Sequence, residues 1–259
     1  MPPIDPRIRA RRIEVRRRAG RRRLRRLGAL GGAVGLVVLG LAALRSPLLD
    51  VDRVAVSGAN LTGDEAVVAA SGVRRGDRLA GVPLGEVAGR VGELPWVARA
   101  TVRRSWPGTL RIAVVERRAV AAAPVVGGGW VFLDADGWQA GLTADVPGWI
   151  VRLQADPLVP ALGERAPGWT RPLLAVAGSV PGAVVDRVVS LRLAAGGEAP
   201  AVEATVRLPD ASEATVRLGP PDQLERKWLA VATVLDQVDL AGVTAVDVRV
   251  PNAPVVTRR

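Results

Sequence analysis

Between Arg26 and Arg45 the chain carries eighteen consecutive residues, Leu27 to Leu44, without one charged or hydrogen-bonding side chain. As a helix rising about 1.5 Å per residue, that run reaches about 27 Å, close to the roughly 30 Å hydrocarbon layer of a bilayer. The bounding arginines can snorkel to cover the difference. Its five glycines, Gly28, Gly31, Gly32, Gly35 and Gly40, weaken a helix in water but are ordinary in a membrane. The run therefore predicts one transmembrane helix over 27–44. A cleaved signal peptide is a rival, but its apolar core is usually about 7–15 residues and no A-x-A site follows Leu44. Arg25–Arg26 gives a faint twin-arginine export pattern. A buried helix of a soluble protein would need neighbours that the sequence does not offer. The Gly28-x-x-x-Gly32 and Gly31-x-x-x-Gly35 spacings suit helix packing, a weak signal in a glycine-rich run.

Charge placement orients that helix. Residues 1–26 hold twelve arginines against Asp5 and Glu14, a net +10 of the chain's formal +11. Such a block suits nucleic acid or anionic lipid. Beside an apolar span, lipid is the expected partner and nucleic acid is not. Each juxtamembrane arginine contributes about 1 kcal/mol against anionic lipid, less than additively. The positive-inside rule puts 1–26 in the cytoplasm and everything from Arg45 outside, a single-pass type II arrangement.

Composition excludes much chemistry. With no cysteine and no histidine, the chain cannot build a thiol nucleophile, a His-based triad or an ordinary zinc site. No disulfide can support an extracytoplasmic fold, which must rest on its apolar core. No G-x-S-x-G elbow, Walker loop or G-x-G-x-x-G occurs. Asp134-x-Asp136-Gly137 lacks the later ligands of a calcium loop and reads as an Asp-Gly turn. No cofactor is expected and the chain reads as a non-enzyme. A glycosidase cleft built on a carboxylate pair is the remaining catalytic reading.

Beyond Arg45 the pattern is α+β. Asp52–Val56 reads as a strand. Thr62 with Glu65 reads as a capping box opening a helix to about Ala70, and a second helix is expected over 83–91. Alternating runs at 98–103 and 110–114 flank a Ser105-Trp106-Pro107-Gly108 turn. The order is β-α-α-β-β. Next, Gly127-Gly128-Gly129, Asp136-Gly137 and Pro147-Gly148 punctuate short apolar segments like hairpins, and 167–177 reads as a short helix. The sequence EATVRL occurs twice, at 203–208 and 213–218, around Pro209-Asp210-Ala211-Ser212. Both copies alternate, so Ala204, Val206, Leu208, Ala214, Val216 and Leu218 should share the buried face of one hairpin. Val185, Val189, Leu191 and Leu193 suggest the adjoining strand. Leu224, Trp228, Val231, Leu235 and Val238 form one helical stripe, with the only lysine, Lys227, on its solvated side. A last strand, 245–250, is stopped by Pro251 and Pro254, which places it at or near a sheet edge.

Leu94 to Arg118, LPWVARATVRRSWPGTLRIAVVERR, resembles the stretch that closes the POTRA domain in the FtsQ (DivIB) family of bacterial cell-division proteins. Val54-Ala-Val-Ser-Gly58, Leu133-Asp-Ala-Asp-Gly137 and Val246-Asp-Val-Arg249 support it. Arg75-Gly-Asp-Arg-Leu-Ala-Gly-Val-Pro83 departs from the family, which usually shows an aromatic there. The resemblance implies an Arg-rich cytoplasmic tail (1–26), a transmembrane helix (27–44) and a POTRA domain (50–118). A mixed antiparallel β-rich domain (119–251) and a C-terminal tail (252–259) would follow. It implies a divisome scaffold of the cytoplasmic membrane at the septum, holding an FtsB/DivIC-like and an FtsL-like protein through the β domain. Other division proteins would meet the anchor and POTRA domain. The alternative is a tethered POTRA-containing assembly or export factor outside division.

The residues expected to meet the partner pair are Val246, Asp247, Val248, Arg249, Val250 and Trp228. A terminal strand near an edge can accept a partner strand. Asp247 and Arg249 share one strand face, opposite Val246, Val248 and Val250. By resemblance Arg249 pairs with a partner carboxylate; otherwise it is a solvated charge. Trp228 is an apolar anchor or a core residue. Glu116-Arg117-Arg118 is a charged strand end, where the resemblance implies contact between domains.

Overall fold

The computed structural model describes residues 28–38, 40, 49–195 and 200–259. Residues 28–38 are helical and exposed. The rest of the expected span over 27–44, apart from Gly40, lies outside the described residues, as does the Arg-rich tail 1–26. Among the described residues no helix is long and apolar enough to cross a membrane.

The β-α-α-β-β order is present as β1 (Arg53–Ser57), α1 (Asp64–Ser71), α2 (Leu84–Gly92), β2 (Val97–Ser105) and β3 (Thr109–Glu116). The strands form one sheet in the order β1-β3-β2. Alternation does the sorting: Leu110, Ile112 and Val114 of β3 are buried and Arg111, Ala113 and Val115 are exposed. Helix α2 buries Val87 and Val91, one turn apart. Gly58 ends β1 at φ +82°, where a Cβ would collide with the Val114 carbonyl. The capping box does not form. Helix α1 starts one residue later than read, behind Gly63, which has no side chain to cap it, and the Thr62 hydroxyl donates to the Glu116 carboxylate at 2.8 Å. That carboxylate also accepts the Thr62 and Leu61 backbone N–H groups at 2.6 and 2.8 Å.

Contacts divide the chain into two compact units, the smaller of which gathers the described residues up to Ala55 with 73–83 and 103–111. In this unit Val51, Leu79, Val82 and Leu110 are buried. Arg104 donates to the Leu79 and Val82 carbonyls.

The larger unit holds 56–72, 84–102 and 112–259. Its mixed sheet runs β12-β11-β10-β9-β8-β7-β4-β5-β6, nine strands. These are β4 (Ala119–Pro124), β5 (Trp130–Asp134), β6 (Gln139–Thr143), β7 (Val151–Gln154), β8 (Val188–Leu193), β9 (Val202–Arg207), β10 (Glu213–Gly219), β11 (Val243–Asp247) and β12 (Val255–Arg258). Besides α1 and α2 it holds α3 (Arg171–Ser179), α4 (Gly182–Val185) and α5 (Leu224–Gln237). The Gly127–Gly129 and Asp136–Gly137 turns join antiparallel neighbours. Pro147-Gly148 does not. After β6 takes the sheet edge, the chain crosses back, and β7 lies parallel to β4 on the other side. Parallel pairing also joins β7 to β8 and β10 to β11, so the sheet is more mixed than the alternation alone suggested.

The repeat folds as read. Strands β9 and β10 pair antiparallel with Ala214 opposite Val206 and Val216 opposite Ala204. All six expected inward residues are buried. Helix α5 buries Trp228, Val231 and Leu235 as its stripe required. It also buries Lys227, expected in solvent. Loop 219–223 folds back over the helix start, so Nζ donates to the Pro220 carbonyl at 2.7 Å and pairs with Asp222. A buried ammonium is tolerated because both acceptors face it.

Candidate partner-docking edge

The candidate site is the end of the large sheet formed by β10, β11 and β12. Strand β11 enters beside β10 in parallel, with Val216 opposite Val246 and Arg217 opposite Asp247. Val246 and Val248 point into the core, whereas Asp247 is half-buried and Arg249 and Val250 are exposed. That alternation matches the sequence reading over 246–249 but not at Val250, which was expected on the face of Val246 and Val248 and is exposed because the strand has already ended. The strand boundaries differ: β11 covers Val243–Asp247 rather than 245–250, and the Val248 N–H still reaches the Arg217 carbonyl at 3.0 Å. Pro251 and Pro254 occupy the turn that follows, where no ladder N–H is needed. The chain then returns as β12, antiparallel to β11, with Val246 opposite Val256. Residues 255–258 are thus a strand rather than part of a tail, and β12 takes the edge position expected of β11.

Among the described residues, strand β12 is held along one flank only. Beyond its ladder with β11, the Arg258 guanidinium donates to the Asp239 carbonyl at 2.8 Å. The Arg259 N–H donates to the Gly242 carbonyl at 3.0 Å. Val255, Thr257 and Arg258 are exposed and Val256 is half-buried.

Charge on the polar face of this end runs in register across four strands. Arg192 of β8 lies opposite Glu203 of β9, which lies opposite Arg217 of β10, which lies opposite Asp247 of β11. Glu203 pairs with Arg192 at 2.5 Å and with Arg217 at 3.8 Å. Asp247 is clasped by Arg249, whose Nε lies 3.0 and 2.9 Å from the two carboxylate oxygens and whose Nη2 is 2.7 Å from Oδ2. These donations hold the Asp247 carboxyl below its ordinary value against an opposing effect of burial, with the charge of Arg217 adding to them. Arg249, just beyond the end of β11, is therefore already paired with Asp247, at 61% side-chain exposure. A partner carboxylate meets this guanidinium by sharing it with Asp247. The Arg249 stem lies over Gly219, where a Cβ at φ +70° would sit 3.0 Å from Arg249 Cγ.

Trp228 does not join this edge. Its ring is wholly buried and its indole N–H donates to Ser179 Oγ of α3 at 3.0 Å. A side chain with no accessible surface cannot anchor a partner, so Trp228 belongs to the core under the sheet.

A second cluster, which the sequence reading left as a charged strand end, lies within the larger unit. Arg117 donates to Asp134 Oδ2 at 2.9 Å and to the Pro95 carbonyl at 3.1 Å, and its guanidinium stacks 4.4 Å from the Trp138 ring centre. The other Asp134 oxygen accepts the Asp136 and Trp138 N–H groups, closing the expected Asp-Gly turn. Trp96 tilts against Phe132 at 5.7 Å, and a Cβ at Gly141 would lie 2.6 Å from its indole nitrogen. The signal was a buried acid within a turn and a paired base near a strand end, too far apart in sequence to be joined by pattern alone.

Known proteins resemble the chain along nearly its whole length. Residues 49–117 match the model of the POTRA domain, FtsQ-type. The chain is 33% identical over 112 residues to the cell division protein FtsQ of Geotalea daltonii, covering 42% of this chain and 40% of that protein. It is 32% identical over 220 residues to that of Mycolicibacterium smegmatis, covering 85% and 61%. The chain thus spans less than two thirds of the length of these two relatives. Against the cell division protein FtsQ of Mycobacterium bovis it is 31% identical over 244 residues, 92% of this chain and 71% of that protein. Matched across its POTRA segment and across most of a full-length relative, the chain belongs to the FtsQ family of bacterial cell-division proteins.

Proposed function

We propose that the chain is a non-catalytic scaffold of the division septum, anchored by residues 27–44 with its N-terminus in the cytoplasm. Its extracytoplasmic part captures an FtsB/DivIC-like and FtsL-like pair at the β12 edge. The observation that carries this reading is the position of β12, last in the sheet order and, among the described residues, paired with β11 alone. Such a flank offers backbone N–H and C=O groups to an added strand. The exposed Arg249 guanidinium next to it supplies charge selectivity, and Val250 and Val255 add apolar surface. Direct pairing with Val246 and Val248 is excluded by their burial; they hold β11 in place.

The test is capture of the co-expressed partner pair by detergent-solubilised full-length chain. Removing residues 254–259 should abolish capture while the thermal transition persists. Arg249→Glu should weaken it by about tenfold, as expected for reversing one charge at an interface. Full capture by the truncated chain would remove β12 from the site.

A further inference from the structure

We infer that the β2–β3 hairpin tip, Arg103 to Arg111, docks on the anionic lipid surface from which the chain emerges. The inference rests on the membrane-anchored reading above and adds a second contact to it. Only Arg45 to Leu49 separate the end of the apolar run from Asp50. Six Cα steps span at most about 20 Å, so Asp50 cannot leave the vicinity of the bilayer. The tip is fastened to that point. The Asp52 and Arg53 N–H groups both donate to the Gly108 carbonyl, at 2.7 and 3.3 Å. A side chain at Gly108 would collide with the Asp52 carboxylate and lie 3.0 Å from the Asp50 carbonyl. Wherever Asp50 is held, the tip is held with it.

What the tip presents suits a lipid headgroup layer. Trp106 is 50% exposed, with exposed Pro107 beside it. Tryptophan at a water–bilayer boundary places its ring among the headgroups. Around it the same compact unit carries Arg53, Arg74, Arg75, Arg78, Arg103, Arg104 and Arg111 against Asp50, Asp52 and Asp77, a net +4. Arg104 is committed to the Leu79 and Val82 carbonyls, and Arg75 to the Asp52 carbonyl at 2.6 Å. Arg78, Arg103 and Arg111 are exposed. An exposed indole in a unit of net +4, tethered within about 20 Å of the end of its own apolar run, fits an anionic bilayer better than a neutral one.

The test uses full-length chain reconstituted into vesicles of phosphatidylcholine alone or mixed with phosphatidylglycerol, each with acyl-brominated lipid as quencher. The Trp106 contribution is the difference between the parent and Trp106→Ser. It should be quenched in the phosphatidylglycerol vesicles and several-fold less in phosphatidylcholine, and should fall at high salt. Arg103→Glu with Arg111→Glu cancels the net charge and should lower the docked population about tenfold. The chain has no cysteine, so Pro107→Cys carrying an environment-sensitive dye repeats the measurement with Trp106 in place. Carbonate-resistant flotation reports the anchor separately. An embedded chain whose Trp106 is unquenched, or equally quenched in both lipids, overturns the docking and leaves the anchor standing. A chain that fails to float overturns both.

Discussion

Glu116 shows what one side chain at a strand end can organise. Burial opposes its charge, yet hydrogen bonds from the Thr62 backbone and hydroxyl and from the Leu61 and Asn60 backbone together hold the carboxyl below 4.5. A folded-state value lower than the unfolded one means that the contribution is complete above about pH 4.5 and disappears as pH falls through the folded value. Thermal melts of the parent should therefore lose midpoint temperature below pH 4.5 more steeply than those of Glu116→Gln, which starts lower at neutral pH. Parallel curves would show that Glu116 does no electrostatic work. No sequence pattern announces this contact. Thr62 was read as a helix cap because Glu65 follows at the right spacing, but the helix opens behind Gly63, and Thr62 is turned to a charged acceptor more than fifty residues away. Lys227 was misread for a similar reason: helical periodicity does not reveal which loop will fold over a position.

At the scale of the element, periodicity was a reliable guide and boundaries were not. The two EATVRL copies pair because their period of two buries the same three positions on each strand. Their turn carries one anomaly, since Ala211 adopts φ +64°. A left-handed alanine costs about 1–2 kcal/mol, partly offset by the extra chain entropy that glycine loses on folding. Ala211→Gly should stabilise the protein by about 0.5–1 kcal/mol, read as a higher urea midpoint with an unchanged slope. A lower midpoint would mean that the hairpin depends on that methyl group. Strands β11 and β12 illustrate the reverse. Two prolines correctly marked a stop, but the four residues after them, Val255–Arg258, are too few for a pattern and become a strand only because β11 offers a ladder.

In the whole molecule, the larger unit is knitted by contacts that join distant segments, among them the ion pair Arg117–Asp134. Both side chains are 11% exposed. Arg117→Ala would leave Asp134 without its counter-charge and remove the stack on Trp138, a loss of about 3 kcal/mol. Urea unfolding of the parent and variant measures it; a loss under about 1 kcal/mol would show that the Asp-Gly turn alone satisfies Asp134. The sequence by itself determined most of the longer elements and the sides of them that face inward, because alternation and helical stripes are local consequences of burying apolar side chains. The expectation of an anchor and of its polarity likewise comes from the sequence, since it rests on length, hydropathy and arginine placement. Only tertiary structure decided the order of nine strands and the exchange of the edge from β11 to β12. It alone buried Lys227, chose core over contact for Trp228, and closed Arg249 onto Asp247. Each of those depends on which remote backbone or charge arrives at a given place, and a linear pattern holds no record of that.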